Sequence, residues 1–119
     1  MPERPKVPAR FGELAAELLQ LTQNGKIHWS GTDDPNTFLL LRDAGHVFVS
    51  SRAGGSPYRL ALHAPSGEEA QSYSGHLSGG DINESRLVSI IQQLWLSAQQ
   101  SAQGSDALVS KFLQDLRNY

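Results

Sequence analysis

The stretch from Thr37 to Tyr73 restricts the fold more than any other part of the chain. It breaks into short runs in which apolar residues recur at every second position, and clusters of turn formers separate the runs. A period of two marks a strand with one side toward a core, because successive side chains leave a pleated backbone on opposite faces. The expected strands are Thr37–Arg42, His46–Ser51, Tyr58–His63 and a weaker Glu68–Tyr73. Asp43-Ala44-Gly45, Ala53-Gly54-Gly55-Ser56 and Pro65-Ser66-Gly67 connect them. Connections this short join antiparallel neighbours, so the segment reads as a β-meander. Pro57 stands at a strand start, where its missing N–H matters least.

Helical periodicity flanks the meander. Phe11, Leu14, Ala15, Leu18 and Thr22 recur at three- and four-residue steps and predict a helix over 11–23, stopped by Asn24-Gly25. Lys26–Ser30 alternates again and predicts a short strand with Ile27 and Trp29 inward, before the turn-rich loop Gly31–Asn36. After the loop Ser74–Gly80, Asp81 and Glu84 have capping-box spacing. A second helix is expected to run from there to about Gln103, with Leu87, Ile90, Ile91, Leu94, Ala98 and Ala102 as its stripe. Gly104 is expected to end it. Ser105 would cap a third helix over 106–117 whose face is Leu108, Val109, Phe112, Leu113 and Leu116, packed on the second as a hairpin or corner. The fold class is α+β: a two-layer sandwich with an N-terminal helix, an antiparallel meander of four to five strands and a C-terminal pair of helices.

A chain of 119 residues suits one domain, expected over 11–119. Residues 1–10 hold Pro2, Pro5 and Pro8 among Arg4, Lys6 and Arg10, which favours an extended, flexible, basic tail. Residues 1–60 carry seven Lys/Arg against six Asp/Glu, and residues 61–119 three against six. No single-sign field results, so nucleic acid is not the expected partner. With no cysteine, thiolate metal sites, disulfides and cysteine nucleophiles are excluded. The N-terminal segment has no apolar signal core, and the longest apolar run is Phe38–Leu41, too short to enter a membrane as a helix. A cytoplasmic location is the expectation.

The whole-chain pattern resembles a group of small bacterial proteins known as hypothetical reading frames. The likeness rests on Leu18-Leu19-Gln20-Leu21-Thr22 leading into Gly25-Lys26-Ile27-His28-Trp29. It continues through Tyr58-Arg59-Leu60-Ala61-Leu62, the Ser66-Gly67 turn, and the helical residues Trp95, Ala98, Ala102 and Leu108. It covers about residues 11–117. The resemblance implies a fold and a bacterial origin, and no activity or catalytic residue.

Residue types that carry chemistry lack the spacing that chemistry needs. His28, His46, His63 and His76 lie 18, 17 and 13 residues apart, whereas metal sites favour close pairs on one element. His28 and His63 would meet on the open sheet face only if their strands were neighbours. No serine occupies a nucleophile elbow, and no phosphate-loop or zinc-protease spacing occurs. Asp33-Asp34 beside Pro35-Asn36 reads as a turn, and Glu68-Glu69 as a solvated pair. The loop Arg52–Ser56 is glycine-rich but leads into a strand, without the helix N-terminus that phosphate loops use. No cofactor or metal is implied.

The more informative feature is an excess of apolar residues on the second sheet face. Alternation puts Leu39 and Leu41 opposite Phe38 and Leu40, and Phe48 opposite Val47 and Val49. A solvated face should be polar there. Three readings stay open: the chain's own helices cover Leu39, Leu41 and Phe48, a second copy does, or a different protein does. Burial of the three on association would contribute on the order of 4–8 kcal/mol gross. Trp95, at the margin of its helical stripe, joins them as an interaction-face candidate, whereas Trp29 is expected in the core. The function expected from this pattern is a non-enzymatic protein-interaction module, of accessory, immunity or chaperone type, acting on itself as a homodimer or on another protein. The alternatives are a small nucleic-acid-associated protein using Arg4, Lys6 and Arg10 with Arg52 and Arg59, and a small hydrolase built on His28/His63 or Asp33/Asp34.

Overall fold

The computed structural model describes residues 10–53, 55–76 and 82–118. Helix α1 spans Phe11–Gln23 and buries Phe11, Ala15, Leu18 and Thr22, the stripe that the periodicity predicts. It stops where expected. Gly25 takes the left-handed backbone at φ 71°, Lys26 N donates to Leu21 O at 2.9 Å, and Gly25 N donates to Thr22 O at 3.1 Å. These two bonds satisfy carbonyls that a helix end otherwise leaves open.

Five strands follow: β1 Ser30–Gly31, β2 Thr37–Arg42, β3 Gly45–Arg52, β4 Gly55–His63 and β5 Glu69–Gly75. They form one antiparallel sheet in chain order, β1-β2-β3-β4-β5. The meander is therefore as expected. β1 is shorter than the alternation over Lys26–Ser30 suggests, yet Ile27 and Trp29 still point into the core and His28 out. The reason lies in the backbone: Trp29 N donates to Ser101 Oγ of the C-terminal helix at 2.9 Å, not to a neighbouring strand.

The β2–β3 hairpin turns through Asp43-Ala44, with Arg42 paired to Gly45. Gly45 sits at φ 153°, and a Cβ there would stand 2.5 Å from the carbonyl oxygen of His63. Only glycine fits that close approach.

The two expected C-terminal helices are joined as one. Helix α2 runs unbroken from Ile82 to Arg117, 36 residues, and the hairpin or corner expected at Gly104 does not form. At 1.5 Å per residue it is about 54 Å long, and it accounts for the longest of the molecule's extents, 66 × 30 × 26 Å. A glycine costs a helix interior only about 1 kcal/mol, and Gly104 has no heavy atom within 4 Å of where its Cβ would be, so nothing there forces a turn. The tail over 1–9, the Asp81 cap and most of the Ser74–Gly80 loop lie outside the described residues.

Both helices gather on one side of the sheet. Phe38, Leu40, Val47, Val49, Tyr58, Leu60 and Tyr73 share one core cluster with α1 and with Leu87, Val88, Ile91, Leu94, Trp95, Ala98 and Ala102 of α2. α2 crosses all five strands and also packs along α1. Each large side chain in this layer contributes about 1.5–3 kcal/mol by leaving water. The result is the two-layer α+β sandwich that the element order predicts.

Candidate interaction surface

The strand register lays out the second sheet face as three cross-strand rows. Ser30, Leu39, Phe48, Ala61 and Ser72 form the middle row. Leu41, His46, His63 and Glu69 form one flank, and Thr37, Ser50, Arg59 and Ser74 the other. None of Leu39, Leu41 and Phe48 belongs to the core cluster, so among the described residues no helix covers this face. It is nonetheless less open than its composition suggests. Leu39 and Phe48 pair across the strands and are half-buried, and the Phe48 ring meets the His63 ring edge-on at 4.8 Å. Leu41 alone is broadly exposed, at 60%. The apolar patch is therefore narrow, with polar side chains on every border.

Trp95 is not part of it. The interaction-face assignment of Trp95 is corrected: the residue is 4% exposed and lies on the helix side of the sheet. Its Nε1 donates to Asn36 O at 2.9 Å, and its ring packs on Phe38 and Tyr58 at centroid distances of 5.8 and 6.3 Å. The physical reason is the breadth of the face α2 must bury. A helix wedged between a sheet and a second helix is covered on two sides, so residues at the margin of its stripe are enclosed as well.

The other sequence candidates have structural explanations. Asp34 ties up its own turn: Oδ1 accepts from Asn36 N and Oδ2 from Thr37 Oγ1, both at 2.9 Å. These bonds hold its carboxyl below the ordinary value, the Asn36 amide contributing most and the Thr37 hydroxyl next. His28 precedes β1 and does not meet His63, whose cross-strand partner is His46. His63 Nδ1 lies 3.0 Å from Gly67 O in the next turn. No group of three or more metal-binding side chains occurs among the described residues. Arg52 ends β3, and Arg59 pairs with Glu69 on the sheet. No helix begins at the Arg52–Ser56 loop.

A larger apolar surface lies elsewhere. Leu108, Val109, Phe112, Leu113 and Leu116 are all exposed, between 47% and 62%. They sit on the last turns of α2, beyond Ala102, the last residue of the helix in the core cluster. Their spacing has a simple relation to the buried part. Eighteen residues are five helical turns, and Ile90, Ile91, Leu94, Trp95 and Ala98 recur eighteen positions later as these five side chains. The same helix face is enclosed over the sheet and bare beyond it. The sequence displays this stripe plainly. The expected corner at Gly104 would have folded it back onto the body, so its exposure was not legible.

Near the junction, a cleft of about 670 Å³ opens between the end of α1 and α2, lined in part by Ile27, His28, Ser101, Gly104 and Leu108. It connects the body to the start of the exposed stripe. Among the described residues, no helix is long and apolar enough to cross a membrane. Compared with protein-family models, curated proteins and solved structures, the chain matches none.

Proposed function

We propose that the protein is a non-enzymatic interaction module whose contact element is the distal part of α2. One observation carries this reading: five large apolar side chains occupy one face of the helix beyond the core, with no cover from the described chain. A projecting helix of about four turns is marginal in water by itself and gains most of its stability from packing an apolar face. Contiguous exposed apolar surface of this kind marks a protein contact site. The sheet face with Leu39, Leu41 and Phe48 is the weaker candidate, because two of its three apolar members already shelter each other.

The test is recovery of the tagged chain from its own cells after mild crosslinking. The wild-type chain should come out in a species larger than itself, and a Phe112→Glu, Leu116→Glu variant should come out free. Wild-type chain recovered solely as a free monomer would overturn the reading. A Leu41→Asp variant should behave as the wild type does.

A further inference from the structure

We infer that the exposed stripe of α2 pairs with the same stripe of a second copy, as an antiparallel helix pair. The inference rests on the reading of α2 as the contact element and names its occupant. Two features point to a second copy.

The first is area. At exposures of 47–62%, five side chains of roughly 150–200 Å² each offer about 500 Å² per chain, so two chains bury about 1,000 Å², the size a specific interface needs. A symmetric pair reaches that size from this stripe alone.

The second is the placement of the bodies. The stripe begins just past the body and ends near the C-terminus, so antiparallel pairing puts the two sheets at opposite ends of the pair. The end of each helix then runs toward the other copy's cleft beside Gly104 and Leu108, which leaves room for it. Parallel pairing would instead force the two bodies side by side.

The absence of cysteine makes the test direct. In light scattering the full chain should show twice its mass of 13.0 kDa. A Leu113→Cys variant should form a disulfide-linked dimer under mild oxidation, while Leu96→Cys, on the opposite face of α2, and Leu41→Cys, on the sheet, should not. A monomeric wild-type chain at about 100 μM, a concentration at which an interface of this size is populated, would overturn the pairing. So would equal crosslinking at all three cysteine positions. A monomer that still loses a crosslinked partner on Phe112→Glu, Leu116→Glu substitution would overturn the self-pairing and leave the interaction module standing.

Discussion

The indole Nε1 of Trp29 donates to Thr22 Oγ1 at 2.9 Å, and the Thr22 hydroxyl in turn donates to Leu18 O at 2.6 Å. Both residues are buried. With the Trp29 amide bonded to Ser101, one residue fastens α1, the approach to β1 and α2. A buried hydroxyl inside a helix is tolerated here because it accepts and donates at once.

Thr22→Val should therefore cost about 1–3 kcal/mol, since it leaves a buried indole N–H without a partner. Thr22→Ser keeps the hydroxyl and should cost clearly less. Urea denaturation followed by tryptophan fluorescence measures both. A larger loss for Thr22→Ser than for Thr22→Val would mean that the methyl group, not the hydrogen bond, matters at this position.

Trp95→Phe should be milder than Thr22→Val, at about 1–2 kcal/mol, despite the larger change in volume. The acceptor it abandons, Asn36 O, keeps the Ser51 amide at 3.1 Å. Denaturant midpoints of the two variants, compared at equal slope, decide the order.

Gly45→Ala should destabilise by about 2 kcal/mol or more, through left-handed strain and collision with a backbone oxygen. Gly31→Ala, where the added carbon has no heavy atom within 4 Å, should stay within about 0.5 kcal/mol. Thermal or chemical melts of the pair test whether the His63 carbonyl is as fixed as the hairpin requires.

The two faces of β2 should respond differently. Leu40→Ala removes a side chain from the core cluster and should cost about 2–5 kcal/mol. Leu41→Ala, one position on, should change stability by no more than about 0.5 kcal/mol. Similar costs would show that the second face is covered after all.

Asp34 sets a pH dependence. Its folded-state pKa lies below the unfolded one because the carboxylate accepts bonds from the Asn36 amide and the Thr37 hydroxyl. Its contribution to stability is thus complete above the unfolded value, about 4, and fades as pH falls through the folded one. Asp34→Ala should lower the denaturation midpoint at about pH 7, and the difference from the wild type should shrink toward about pH 3. A difference that stays constant with pH would assign the effect to the turn backbone and not to the carboxylate.

The parts of the fold that were legible in the sequence are those governed by local periodicity. Alternation across Thr37–Arg42 gave the strand to the residue, and Asn24-Gly25 marked the end of α1, because both depend on nearby backbone geometry. What misled was punctuation without tertiary support. Gly104 has the form of a stop signal, but a stop needs a fold-back contact to reward it, and the helix continues instead. Trp95 was misplaced for a related reason: the width of a buried helix face depends on how many neighbours surround it, and α1 is a neighbour that local pattern does not reveal. The Leu39, Leu41 and Phe48 grouping was readable from alternation, whereas the mutual shelter of Leu39 and Phe48 depends on strand register.

That α2 continues through Gly104 makes it a lever. Its proximal turns form the roof over Val49 and Leu60, and its distal turns belong to the same continuous helix. Whatever grips the far end also braces the roof, so engagement at the tip should slow opening of the amides in β3 and β4 without touching them. Hydrogen exchange in those strands would then report events some tens of ångströms away, a distance set by nothing more than the rise of a helix.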